Sequence, residues 1–372
     1  MREGVAEILE ASPDRIMPPC PHFGDCGGCA LQHWRDDAYI AWKSGLLEAA
    51  LHRAGYSEVP ILPAARTPPR SRRRMDLAIR RHGVTLTVGL HAARGPAVVD
   101  LQVCHVLHPA LFALIEPLRR ILRSLSALRR EGSAVVNLLD SGPDLLLRTD
   151  AEATAADRTR LTEFARAHGL PRISVARGGG APETACLLRP PVVTFSDIAV
   201  SPPPGAFLQA SREGEDAIVA AVLAALPVKG RVVELYSGCG TLTFAMARQA
   251  RIAAFEGDAA TVSALRSAAN AAGLAGRIEV QGRDLARRPV SSKELSSFGA
   301  VVLDPPHAGA AVQVAEIAAS GVRRVIYISC NPATLARDAR MLHGAGYKLV
   351  SALPVDQFLW SARLESVVVL AR

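Results

Sequence analysis

The sequence predicts an α/β protein in which a parallel sheet carries helices on both faces and follows a smaller α+β domain. Three observations predict it. From residue 205 onward, segments of strand character alternate with segments of helix character, the pattern of consecutive β-α-β units. The first of these strands runs into a glycine turn, Gly238-Cys239-Gly240, ahead of a helix, where backbone amides can meet a ligand. Before residue 201 strands follow one another, and the stiff run Ser201-Pro202-Pro203-Pro204-Gly205 separates the two styles.

A chain of 372 residues suits two domains. With 49% hydrophobic and 21% charged residues it has the composition of a folded protein. No run approaches the ~18 apolar residues needed to cross a bilayer, and the first 21 residues carry four acids and no apolar signal core. A soluble, cytoplasmic protein is expected, with no membrane association and no obligate protein partner.

Taken in order, residues 5–10 read as one short strand, expected as the last strand of a small barrel. Residues 18–29 form a loop with three prolines and three cysteines, and 35–54 suit a helix that stops before Gly55. Leu77 and Ile79, then Val84, Leu86, Val88 and Leu90, alternate as two strands around the His82-Gly83 turn. Leu111, Leu114, Leu118 and Leu122 recur at helical spacing and predict a helix over 108–129. Further strands and one helix follow to about 195. After the proline run, helices are expected at 212–226, 241–250, 258–272, 310–319 and 332–344. Strands are expected at 231–236, 252–256, 276–280, 299–303, 323–328, 346–355 and 363–371. A short connection into the last strand makes it a candidate for antiparallel entry.

Charge is concentrated. The net charge is +8, and residues 61–95 alone hold eight arginines against one acid, Asp76. Arg70, Arg72, Arg73 and Arg74 lie at its centre and are the candidates for contact with the phosphates of a nucleic acid; a solvated strand face is the bland alternative. Seven cysteines, an odd number, argue against a disulfide framework, and three of them fall within ten residues, which favours a metal site.

The glycine turn lacks the third glycine of a dinucleotide fingerprint, since position 243 is Thr. Glu256 ends the second strand, where an acid can bond ribose hydroxyls, and Asp284 follows the third, where an adenine amino group could be met. A ribose and an adenine without phosphates fit S-adenosylmethionine in a Rossmann-like domain. The fourth strand ends in Asp304-Pro305-Pro306, aiming a carboxylate at the pocket. The fifth ends in Ser329-Cys330-Asn331-Pro332, which places Cys330 at a helix N-terminus, where a depressed pKa and nucleophilic character are expected. A nucleophilic thiol beside a methyl donor suits carbon 5 of uracil: addition at carbon 6 activates carbon 5, and a base must then take the proton. Glu365, a charged residue inside the apolar run Leu364–Leu370, is the candidate base.

Together these residues resemble the RNA 5-methyluridine methyltransferase family over nearly the whole chain. The resemblance implies a class I methyltransferase domain with Cys330 as nucleophile, Glu365 as general base and Asp304 in the catalytic pocket. It implies cofactor contacts at Gln209, Tyr236, Thr241, Glu256, Asp284 and Asp304, beside Gly238 and Gly240 of the loop. Cys20-x5-Cys26-x2-Cys29 with Cys104 resembles the 4Fe-4S site of the members that modify ribosomal RNA, with zinc on the same thiolates as the alternative. That subgroup makes 23S rRNA the implied substrate, transfer RNA the first alternative and an inactive RNA-binding Fe-S protein another. RNA cytosine methylation would call for a second cysteine at position 306, which is Pro. The implied organisation is a TRAM-like barrel remnant at 1–17, a central RNA-binding and Fe-S domain at 18–204, and the methyltransferase domain at 205–372, with helix 35–54 packed onto the last. Departures from the family pattern fall at Ser237, Thr241, His307 and Arg363.

Overall fold

The computed structural model describes residues 8–227 and 230–372. The predicted strand at 5–10 falls partly outside this range; Ile8, Leu9 and Glu10 are exposed and belong to no strand. The cysteine-rich segment that follows is irregular as far as α1 (Asp36–Ala54). Asp36 and Asp37 in its first turn complement the helix dipole, and Gly55 ends it in the left-handed conformation at φ 108°.

The next elements are β1 (Ala65–Arg66), β2 (Arg74–His82), β3 (Thr85–His91), β4 (Val98–Asp100), α2 (Pro109–Phe112), α3 (Ile115–Ser124), β5 (Glu131–Leu139), β6 (Gly142–Thr149), α4 (Ala155–His168), β7 (Arg172–Arg177) and β8 (Glu183–Leu187). Seven of these strands form a sheet in the order β4-β3-β2-β5-β6-β7-β8, antiparallel except where α4 carries the chain from β6 to a parallel β7. The helix expected over 108–129 is two short helices. Pro117 is the reason: it has no N–H to donate, and it falls in the first turn of α3, where none is needed.

After the β9 (Val193–Phe195) and β10 (Ile198–Val200) hairpin come α5 (Arg212–Ala225), β11 (Arg231–Leu235), α6 (Thr241–Met246), β12 (Arg251–Glu256), α7 (Ala259–Ala271), β13 (Ile278–Gly282), α8 (Ser292–Leu295), β14 (Ala300–Leu303), α9 (Ala311–Ala319), β15 (Arg324–Ser329), α10 (Pro332–Gly344), β16 (Lys348–Asp356) and β17 (Glu365–Ala371). They build an eight-stranded sheet, β1-β16-β17-β15-β14-β11-β12-β13. Strands β11 to β15 run parallel, and β17 enters antiparallel between β15 and β16. Helix α6 is shorter than the expected 241–250, because β12 already begins at Arg251 and the chain must turn back first.

Alternation along each strand sorts the core into two layers. Val232, Ala254, Val302, Ile328 and Val367 pack on one face with Ile218, Leu242 and Leu265 of α5, α6 and α7. Val233, Phe255, Leu303, Tyr327 and Val368 pack on the other with Val314 of α9 and Leu335 of α10. Leu47, Leu51 and Ala54 of α1 belong to this second layer, and β1 pairs with β16 to form the edge of the sheet. Residues 36–66 therefore complete the methyltransferase-type sheet although they precede the other domain in sequence.

Candidate active site

The period of a strand is two residues, so one step of two beyond each core residue stays on the same face. Two beyond Val232, Ala254, Val302 and Ile328 lie Glu234, Glu256, Asp304 and Cys330; two before Val367 lies Glu365. All five stand at the carboxyl end of the parallel strands, where ligands sit in open α/β sheets. Ser329 pairs with Ser366 across β15 and β17, so Cys330 and Glu365 are the next residues to face each other. Asp304 follows directly after the neighbouring strand β14.

Two amides tie the carboxylates together. Gln209 Nε2 donates to Asp304 Oδ2 (3.1 Å), and Gln357 Nε2 donates both to Gln209 Oε1 (2.7 Å) and to Glu365 Oε2 (2.9 Å). Glu365 Oε1 is buried with no partner. Burial, reinforced by Asp304, pushes Glu365 well above the usual carboxylate range. Burial raises Asp304 to about 7, against the donated bond from Gln209. Cys330 departs from expectation: its thiol is pushed up to about 11, by burial first and then by Glu365 and Asp304. Asn331 Oδ1 accepts from Ala333 N (3.0 Å) and caps α10 beside it.

The glycine loop connects β11 to α6. Tyr236 sits there at φ 65°, a strained conformation for a non-glycine residue. Gly240 is obligatory, because a Cβ would lie 2.5 Å from the Phe244 ring and 2.6 Å from Leu265. Thr241 opens α6. Glu256 accepts from Gly238 N (3.0 Å) on one oxygen and from Gly257 N (2.7 Å) and Asp258 N (2.9 Å) on the other, which draws the loop onto the end of β12. Ser237 Oγ in the same loop is buried without a partner. Asp284 is exposed beyond β13, accepting from Ala286 N (3.0 Å). Gln209, expected at the cofactor, bonds Asp304, which is expected there too, and Gln357. Sequence reasoning missed Glu234 and Gln357. Glu234 carried the same signal as Glu365, an acid inside an apolar strand; it is buried, bonded by Thr243 Oγ1 and raised to about 8.

The family model described as tRNA (Uracil-5-)-methyltransferase matches residues 204–372. An RNA methyltransferase of Caulobacter vibrioides is 39% identical over all of this chain and 90% of its own length. A 23S rRNA (uracil(1939)-C(5))-methyltransferase RlmD of Alkalilimnicola ehrlichii is 35% identical over 99% of this chain and 85% of its own. The chain belongs to the RNA (uracil-5-)-methyltransferase family. Its fold is shared with the Pyrococcus abyssi tRNA (uracil-54, C5)-methyltransferase solved with S-adenosyl-L-homocysteine, at a TM-score of 0.73 and 21% identity over 98% of this chain and 88% of that one.

In this uracil methyltransferase, Cys20, Cys26, Cys29 and Cys104 line one cavity of about 260 Å³, together with Arg72, Phe358, Ser361 and Arg363. Gly28 N lies 3.4 Å from Cys26 Sγ, and Leu107 N lies 3.5 Å from Cys104 Sγ. Among the described residues, no three Cys, His, Asp or Glu side chains are grouped closely enough to hold a single metal ion. The four arginines do not form one patch. Arg70 is exposed and Arg72 half-buried at the cysteine cavity. Arg74 lies over the exposed ring of Phe207, 5.5 Å from its centroid. Arg73 is withdrawn from the surface, in a buried ion pair with Glu215 and donating to Gln209 O (3.0 Å). The expectation that Arg73 meets phosphate is corrected: strand alternation turns it inward, and a buried carboxylate needs its charge.

Proposed function

We propose that this enzyme methylates carbon 5 of a uridine in 23S rRNA with S-adenosylmethionine. The observation that carries the reading is the convergence of Cys330, Glu365 and Asp304 on one face, beside a glycine loop tied down by Glu256. The loop suits the cofactor: Gly238 has open space before it, and Ser237 Oγ is left without a partner. Tyr236, Gly238, Gly240, Thr241, Glu256 and Asp284 would hold it, and the methylsulfonium supplies the electrophilic methyl group.

The protein's own residues supply the rest. Cys330 Sγ adds to carbon 6 of the uracil, which makes carbon 5 nucleophilic. Burial raises the thiol, so its proton must leave as the bond forms, to a carboxylate of the same pocket, where Glu365 and Asp304 both act on Cys330. After the methyl is transferred, Glu365 removes the proton from carbon 5 and the thiolate is expelled. Burial suits Glu365 to this, since a carboxylate with a raised pKa is the stronger base.

Arg70, Arg72 and Arg74 would contact RNA phosphate. The four cysteines would hold a 4Fe-4S cluster. Anaerobically purified protein should be brown with about four irons per chain; colourless protein with one zinc would overturn the cluster.

Labelled S-adenosylmethionine, 23S rRNA and transfer RNA test the reading. 5-methyluridine in 23S rRNA is the expected product. 5-methyluridine in transfer RNA alone would favour the second reading, which the family description supports.

A further inference from the structure

The amide of Gln357 is buried to 3% exposure and belongs to no residue given a role above. Its environment fixes it completely. Ala210 N is a donor and lies 2.9 Å from Gln357 Oε1, so the carbonyl must point there. The NH₂ group is then turned to Gln209 Oε1 and to Glu365 Oε2, and both of its hydrogens are used. This orientation propagates: Gln209 must present its own NH₂ to Asp304. One backbone N–H therefore sets the polarity of a relay that reaches both carboxylates, and it leaves Glu365 Oε1 as the free oxygen.

We infer that Gln357 is the positioning residue of the base: it occupies one oxygen of Glu365, leaves the other for the proton of carbon 5, and stabilises the ionised carboxylate. The inference rests on the methylation reading above. Among the charged groups facing Glu365, Asp304 at the end of β14 opposes its ionisation, and the Cys330 thiol opposes it once ionised. Arg363, in the loop that precedes β17, acts on the Cys330 thiol, and the Arg73–Glu215 pair lies behind Gln209, internally compensated. Gln357 supplies the side-chain donor that favours the charged form. A second constraint holds it in place. Asp356, the preceding residue, is buried against Lys43 and accepts from Tyr39 OH (3.0 Å), while Thr67 Oγ1 donates to Asp356 O (2.8 Å).

The test is the pH dependence of proton removal. Wild-type enzyme is first shown to make 5-methyluridine in RNA; failure there overturns the methylation reading and not this assignment alone. Gln357→Met keeps the volume and deletes both donors. Its acid limb in kcat should move upward by about one pH unit, with methylated RNA–protein adduct accumulating below neutrality and resolving when the pH is raised. Gln357→Glu, of the same size, should move the limb in the same direction, because it adds a third carboxyl to the site. A merely structural residue would lower kcat at every pH and leave the limb in place. A wild-type acid limb in either folded variant overturns the assignment.

Discussion

Cys330 and Glu365 face each other across two antiparallel strands, yet their roles separate in time, and their variants should fail differently. Cys330→Ala removes the nucleophile, so neither adduct nor methyl transfer is expected. Glu365→Gln leaves addition and transfer intact but stalls the loss of the carbon 5 proton. A methylated adduct that survives denaturing electrophoresis should accumulate; wild-type turnover with no trapped adduct would assign the base elsewhere, with Asp304 next in line. Asp304 also gives a stability prediction. Its folded pKa of about 7 lies above its ordinary value of 3.8. Between roughly pH 4 and 7 the folded state therefore binds more protons than the unfolded chain, so this group's contribution falls as pH rises through that window. Asp304→Asn should raise the unfolding free energy at pH 8 by on the order of 1–2 kcal/mol given the residue's partial contact with solvent, visible as a higher melting temperature, while it slows methyl transfer. No gain over wild type at pH 8 would mean that relaxation or water meets the charge.

At the scale of single elements, the start of β2 shows why charge in sequence is not charge on a surface. Arg72, Arg73 and Arg74 are consecutive, but the strand alternates and the next domain closes over one side. Arg73→Ala would strand the Glu215 carboxylate and cost about 3–5 kcal/mol, visible as a lower denaturant midpoint. Arg70→Ala and Arg74→Ala should leave stability nearly unchanged and flatten the salt dependence of RNA binding, by about one unit of slope per lost phosphate contact. A normal salt slope in the double variant would reduce that face to solvated surface. The same distinction explains what was legible beforehand. Glycine turns, strand alternation and Asp304-Pro305-Pro306 are local signals, and the β-α-β order and the antiparallel last strand followed from them. The break of the 108–129 helix was also local, but the leucine spacing masked Pro117. The raised pKa of Cys330, the inward Arg73 and the amide relay through Gln357 depend on segments some 140 residues or more apart for the last two, or on depth of burial for the first, and no local pattern encodes them.

Across the whole molecule, the proline run at 201–205 looks like a place to cut the chain, and the family match begins at residue 204. The sheet ties an earlier segment of the chain to the residues beyond that run. Tyr39, Lys43, Leu47 and Leu51 of α1 are fully buried on the catalytic half, and β1 pairs Ala65 with Val355 and Arg66 with Asp356. Fully burying a large apolar side chain contributes about 1.5–3 kcal/mol, so losing α1 alone removes an amount comparable to the ~5–15 kcal/mol that keeps a domain folded. A fragment of residues 205–372 should therefore show no cooperative thermal transition, whereas one spanning 34–372 should. Lys43→Ala is the finer test. It leaves the buried Asp356 carboxylate without its ammonium partner, at a cost of about 3–5 kcal/mol. Because Asp356 adjoins Gln357, loosening it should also slow the release of methylated adduct in protein that remains folded. A cooperative melt for residues 205–372 at the full-length temperature would show that the N-terminal helix is only an attachment. Loss of that melt together with slower adduct release in Lys43→Ala would mean that the segment carrying α1 helps hold the base in register.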